Sequence, residues 1–264
     1  MDKQMNFYAN KISVTTIGFM LLACMMSLLV SGCASQEQRD KIDVNLKARA
    51  RAHTDLGAVY FQQKQYEVAL EEFTQATKID PSFGLAFNGL GLVYSALGQD
   101  DIASANFKKA VEVDPNNSES HNNFGSFLCA KGHYDASIKE FLAAVKNPLY
   151  TTPAMAYTNA GICSMRKNDV TNAELYLQKA LEIEPLSNMA AYQLATLQFN
   201  RNDALAAKKT LQHVMLGQPA PEMLWLAIQI ERVVGERDAE ASYSLQLRRQ
   251  YPESAQAKLL QSGK

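Results

Sequence analysis

The chain has little of what most active sites are built from. Among 264 residues there is one tryptophan and four histidines. His53, His121, His133 and His213 lie far apart, with no paired ligand spacing, so the local metal motifs are excluded. There is no phosphate-binding glycine loop, no G-x-S-x-G and no H-E-x-x-H. Neither sign of charge dominates: 26 Lys plus Arg stand against 27 Asp plus Glu, a net charge of -1. A nucleic-acid binder needs a basic face to release counterions, and a polybasic pull toward anionic lipid is equally absent. Proline (8) and glycine (13) are scarce, which excludes a low-complexity chain, while 47% hydrophobic residues exclude wholesale disorder. The expectation is a protein with no catalytic residue, no metal, no cofactor, no small-molecule substrate and no nucleic-acid partner.

One long hydrophobic run is present, at residues 12–30, and it carries no charge. Lys3 and Lys11 precede it; Val30, Ser31, Gly32 and Cys33 end it; Ala34, Ser35 and a polar stretch follow. A signal peptidase admits only small residues at its cleavage site. A cysteine at the first mature position resembles the bacterial lipobox, whose thiol carries diacylglycerol. That resemblance implies a lipoprotein signal peptide over 1–32, lipidation of Cys33 and a tether over 33–46. Ala34 rather than Asp after the cysteine implies the outer membrane, with the mature chain on its periplasmic face. One acyl chain holds only marginally, and the three of a mature lipoprotein hold firmly. The other reading is an uncleaved signal anchor.

The scarce prolines and glycines are evenly spaced. Pro81, Pro115, Pro148, Pro185, Pro219 and Pro252 stand at intervals of 34, 33, 37, 34 and 33. Gly57, Gly91, Gly125 and Gly161 share one register, with Ala195 in the fifth unit and Gln229 in the sixth. Ala69, Ala103, Ser137, Ala173, Ala207 and Ala241 share a second. A large apolar residue follows each: Phe73, Phe107, Phe141, Leu177, Leu211 and Leu245. Each unit reads as a helix, a turn and an antiparallel helix. Leu56, Tyr60, Leu90 and Tyr94, at i and i+4, mark a buried stripe on first helices. Glycine lets the second helix approach, the large residue fills the gap, and proline closes the unit. One such hairpin cannot cover its own apolar face, so neighbours must stack.

This pattern resembles the tetratricopeptide repeat. It implies an all-α fold, a right-handed superhelix of about six helix-turn-helix repeats. The solenoid is expected over 47–264, with repeats near 50–83, 84–117, 118–153, 154–187, 188–221 and 222–255. A two-residue insertion marks the third, the sixth is degenerate, and residues 253–264 are expected to make a short covering helix.

Cys129 and Cys163 fall late in the first helices of adjacent units. Neighbouring first helices pack about 8–10 Å apart, within reach of a disulfide in an oxidising compartment. The alternative is two small buried thiols in a helical seam. First helices line the concave side of such an array. By register the groove is expected to present Phe61, Leu85, Asn88, Leu92, Asn122, Met155, Asn159, Ile162 and Tyr192. Methionine adapts its shape and asparagine pairs with backbone, a mixture suited to a peptide.

Two stretches are more specific: HNNFGSFLCAKGHYDASIKEFLAAVKNPLYTTP and AYTNAGICSMRKND. Their order resembles the type IV pilus biogenesis lipoproteins of the PilW/PilF family. The resemblance implies a pilotin-like outer-membrane lipoprotein that assists localisation, multimerisation or stability of the secretin PilQ, and it too suggests a Cys129–Cys163 bridge. The alternative is a lipoprotein scaffold for another envelope assembly, either outer-membrane protein insertion or cell-wall enzymes.

Overall fold

The computed structural model describes residues 41–263, and the described residues are all helix and turn. The expected signal peptide, the lipidated Cys33 and the tether to residue 40 lie outside them. The helices run α1 (41–62), α2 (Tyr66–Ile79), α3 (Gly84–Ala96), α4 (Asp100–Val113), α5 (Ser118–Ala130) and α6 (Tyr134–Ala144). They continue as α7 (Pro153–Arg166), α8 (Val170–Ile183), α9 (Asn188–Asn200) and α10 (Ala204–Leu211). A 3-10 turn (Val214–Leu216) follows, then α11 (Pro221–Val234), α12 (Arg237–Gln250) and α13 (Ala255–Gln261). Successive helices pair into six hairpins, with α13 left over. The residues divide into one compact unit ending at Ala86 and a second beginning at Phe87.

In the first unit, Phe73 on α2 fills the space opposite Gly57 on α1. A Cβ on Gly57 would stand 2.8 Å from its ring, closer than real Cβ contacts come. Ala50, Ala76 and Ala86 form a small core with Ile79 and Phe83 beside it. Leu56 departs from the expected buried stripe and is half exposed, because no described hairpin precedes α1 to cover it. Leu90, at the same register, is buried as expected.

The second unit repeats this device. Phe107, Phe141 and Leu177 press on Gly91, Gly125 and Gly161, where an added Cβ would lie 2.6–2.8 Å away. Two of these side chains also serve the next hairpin: Phe107 packs on Phe124 and Phe127 of α5, with ring centres 5.9 and 5.2 Å away, and Phe141 clusters with Ala160 and Cys163 of α7. Three exposed ion pairs run from one hairpin to the next: Lys131–Asp100, Lys167–Asp135 and Arg201–Glu174, at 2.6–2.7 Å. At this exposure solvent screens each pair, and they set register more than stability.

The turns hold the register. Each hairpin turns through one left-handed residue: Lys64, Gly98, Gly132, Asn168, Asn202 and Gly235. Glycine or asparagine is favoured there because a Cβ crowds the following carbonyl. Five, nine and twelve residues later come the inward positions of the second helix: Ala69, Phe73 and Ala76 in the first hairpin.

Counting from the turn corrects the sixth unit. Gly235 lies 33 residues after Asn202, not 34. The inward positions are therefore Glu240, Ser244 and Leu247. Ala241 and Leu245, expected inside from an even 34-residue spacing, are exposed. Ile228, not Gln229, takes the register that Gly57 opens, and it is fully buried. The usual sizes are exchanged: small opposite Phe becomes Ile opposite Ser. In the fifth unit α10 stops early, and Val214 of the 3-10 turn takes the place held by Ala76. α13 closes the end, with Ala257 and Leu260 packing among Leu224, Ile228 and Leu247.

Candidate functional site

The first helices of the second unit carry most of the residues expected in the groove. Met155 and Met189 are about half exposed, and Leu92, Ile162 and Tyr192 are partly covered. These side chains give an adaptable apolar surface on α3, α7 and α9. Asn88 and Asn122 behave differently, being 3% and 4% exposed. Asn123 donates to the Asn88 side-chain oxygen at 3.3 Å, and Asn159 donates to that of Asn122 at 3.1 Å. The amides thus tie first helix to first helix, satisfying polar groups that burial would otherwise penalise. In the first unit, Leu85 is partly buried, and Phe61 lies against Tyr66 with ring centres 5.8 Å apart.

Cys129 on α5 and Cys163 on α7 are paired as a disulfide, with Cα atoms 5.8 Å apart. Both are buried, within a cluster that includes Phe141 and Ala160. The bond joins the third hairpin to the fourth, on either side of the α6–α7 connection at 145–152, which carries the insertion. Across that insertion, the α4–α5 turn, the start of α5 and residues 147–152 enclose a cavity of about 460 Å³, open to solvent and reaching Met155. A second cavity, about 420 Å³, lies where α10 ends early. Met215, Leu216 and Tyr243 line it, beside the Lys208–Glu231 ion pair at 2.7 Å.

Two of the four histidines have structural partners. His53 pairs with Glu72 at 2.7 Å, and His121 with Glu140 at 2.6 Å, each spanning 19 residues from first helix to second. The other ring nitrogen of His121 lies 3.0 Å from the Pro115 carbonyl. Burial opposes charging of this ring. The hydrogen bonds to Glu140 and Pro115 and the charges of Glu140 and Asp114 outweigh it, so His121 titrates above the ordinary histidine value. Protonation therefore favours the folded chain. Its contribution is complete below about pH 6.5 and fades as pH rises through the raised value. The expected result is a stability gap between wild type and Glu140→Gln that is widest near about pH 6 and narrows toward about pH 8. Urea denaturation at each pH measures it, and a gap constant across that range rejects the assignment.

No group of His, Cys, Asp and Glu among the described residues is placed to hold a metal. No described helix is long and apolar enough to cross a membrane. The described residues present a run of first-helix side chains and, among their cavities, these two.

Models of the tetratricopeptide repeat match residues 57–98, 86–117, 106–139 and 128–188. The type IV pilus assembly protein PilF of Pseudomonas aeruginosa is 28% identical over 123 residues, 46% of this chain. That match spans about half, 48%, of the relative's length. The solved structure of Pseudomonas aeruginosa PilF superposes with a TM-score of 0.72 at 27% identity, covering 83% of this chain and all of that one. The structure of PilW, a widely conserved type IV pilus biogenesis factor, gives 0.69 at 27% identity, covering 80% and 97%.

Proposed function

We propose, from the premise that this chain is a tetratricopeptide-repeat protein homologous to PilF and built like PilF and PilW, that it is a non-catalytic adaptor of type IV pilus biogenesis. Its partner in this reading is the secretin PilQ, whose localisation, multimerisation or stability it assists. A lipid on Cys33 holds it to the periplasmic face of the outer membrane. The observation that carries the reading is the likeness to PilF along 83% of this chain and the whole of that structure. The rest of the chain supports it. The lipobox-like Val30-Ser31-Gly32-Cys33 supplies an anchor. The anchor raises the local concentration of the first-helix surface near an outer-membrane client. The exposed Met155 and Met189 suit a protein segment as client.

Deletion of the gene tests the partner. Twitching motility and SDS-resistant PilQ multimers are both expected to be lost, and to return with the wild-type gene. Multimers at wild-type level in the deletion strain reject the secretin role. Cys33→Ser tests the anchor. The variant is expected to keep its helical circular dichroism while leaving the outer-membrane fraction. Full membrane recovery together with full motility shows that the tether is not needed.

A further inference from the structure

The insertion between α6 and α7 closes one side of the 460 Å³ cavity, and Asn147 holds it there. The Asn147 amide donates to the Asn116 carbonyl at 3.2 Å. Its side-chain oxygen accepts from the Leu149 N–H at 3.0 Å, and its backbone carbonyl accepts from the Tyr150 N–H at 3.1 Å. The loop is thereby pinned to the turn that begins α5. The lining contains the carboxylates of Asp114 and Glu119 and no lysine or arginine. Ser118, 6% exposed, also lines the cavity, and its hydroxyl meets no hydrogen-bond partner. Leu149, 84% exposed, and Met155 give the wall an apolar part.

We propose that this cavity receives an extended segment of a protein partner carrying an arginine or lysine, with the cation facing Asp114 and Glu119. The chemistry selects that occupant. Two carboxylates in a lining without lysine or arginine repel an acidic or phosphorylated segment and attract a basic one, Glu119 more than Asp114, whose charge also faces the His121 ring. A basic side chain brings an apolar stem as well as a charge, and Leu149 and Met155 cover such a stem. An extended backbone presents free N–H and C=O groups, which the side chains of Asn123 and the exposed Thr151 in the lining can take up. The inference rests on the adaptor reading and names the class of segment the adaptor holds.

The test uses the full chain in detergent. The probe is a fluorescein-labelled, capped decapeptide of alternating serine and valine with two central arginines. Counterparts carry norleucine or glutamate at those two places. By fluorescence anisotropy the arginine peptide is expected to bind at least tenfold tighter than the glutamate peptide, and more weakly as salt rises. Asp114→Asn combined with Glu119→Gln is expected to abolish that preference without changing the circular dichroism. Leu149→Arg, on an exposed side chain, places a repelling charge in the wall and is expected to weaken the arginine peptide alone. It keeps the test decisive should the double variant fail to fold. Equal binding of the three peptides, a preference that survives these substitutions, or no binding of the arginine peptide overturns the proposal. Co-purification with PilQ is scored separately. Secretin capture with no peptide preference removes the cavity alone, and peptide preference without secretin capture removes the partner's identity alone.

Discussion

Phe107→Ala will destabilise the fold by about 3–5 kcal/mol, which for a chain of this size lowers the melting temperature by about 6–20 °C. The side chain is 1% exposed and works in two places. It fills the space opposite Gly91 within its own hairpin, and it packs on Phe124 and Phe127 of the next. Truncation therefore loosens a hairpin and a seam together, and the helices cannot close the gap without breaking one contact or the other. The pair can be tested further. Gly91→Ala alone sets a methyl 2.7 Å from the ring and is expected to destabilise. Gly91→Ala with Phe107→Leu reproduces the Ala195 and Leu211 combination of the fifth hairpin. The double variant should lose less than the sum of its single changes, with a coupling of about 0.5–3 kcal/mol. Strict additivity would mean that the two positions do not share one space.

Reduction of the Cys129–Cys163 bond is the second large effect. The two residues are 34 apart in sequence. In the chain-entropy model a loop of that length contributes about 3–4 kcal/mol. Thermal melts with and without dithiothreitol should differ by about 6–16 °C. The Cys129→Ala and Cys163→Ala double variant should melt like the reduced protein and ignore the reductant. Thiol titration of denatured, unreduced protein purified from the cell envelope is expected to find neither thiol free. Two free thiols there would reduce the pair to buried small side chains. Because the bond ties α5 to α7 on either side of the insertion, its loss should also loosen the wall that Asn147 holds.

Much of the architecture could be read from spacing. Gly57, Gly91, Gly125 and Gly161 fell into register with Phe73, Phe107, Phe141 and Leu177, and the structure brings those pairs into contact. This was legible because a missing side chain must be answered by a large one wherever two helices cross closely. The sixth hairpin was misread because an even spacing was carried past a point where one residue is lost. The left-handed residues of the turns were the better ruler. Gly98, Gly132 and Gly235 are visible as glycines, and Asn168 and Asn202 are the next residue type to suit that conformation. Lys64 carries no such signal.

The surface was less legible. Asparagine suits a groove that binds backbone and also a seam that must satisfy buried amides. Sequence could not separate the two, whereas the structure buries Asn88 and Asn122 and pairs them with Asn123 and Asn159. The insertion was apparent as two extra residues, yet the cavity depends on Asn147 reaching back 31 residues to Asn116. No local pattern encodes that reach. The His121–Glu140 pair was hidden for the same reason, since its 19-residue span crosses from one helix to its antiparallel mate.

The exchange of Ile228 and Ser244 for the usual glycine and phenylalanine limits how this molecule can be rebuilt. A chimera joining α9 to α12 would set Ala195 opposite Ser244 and leave a void. The reciprocal join of α11 to α10 would drive Ile228 into Leu211. Either hybrid fails sterically although each parent helix is sound. The smallest piece that can be duplicated, deleted or transplanted is therefore a whole hairpin, and engineering that trades single helices between repeats will fail at the last one first.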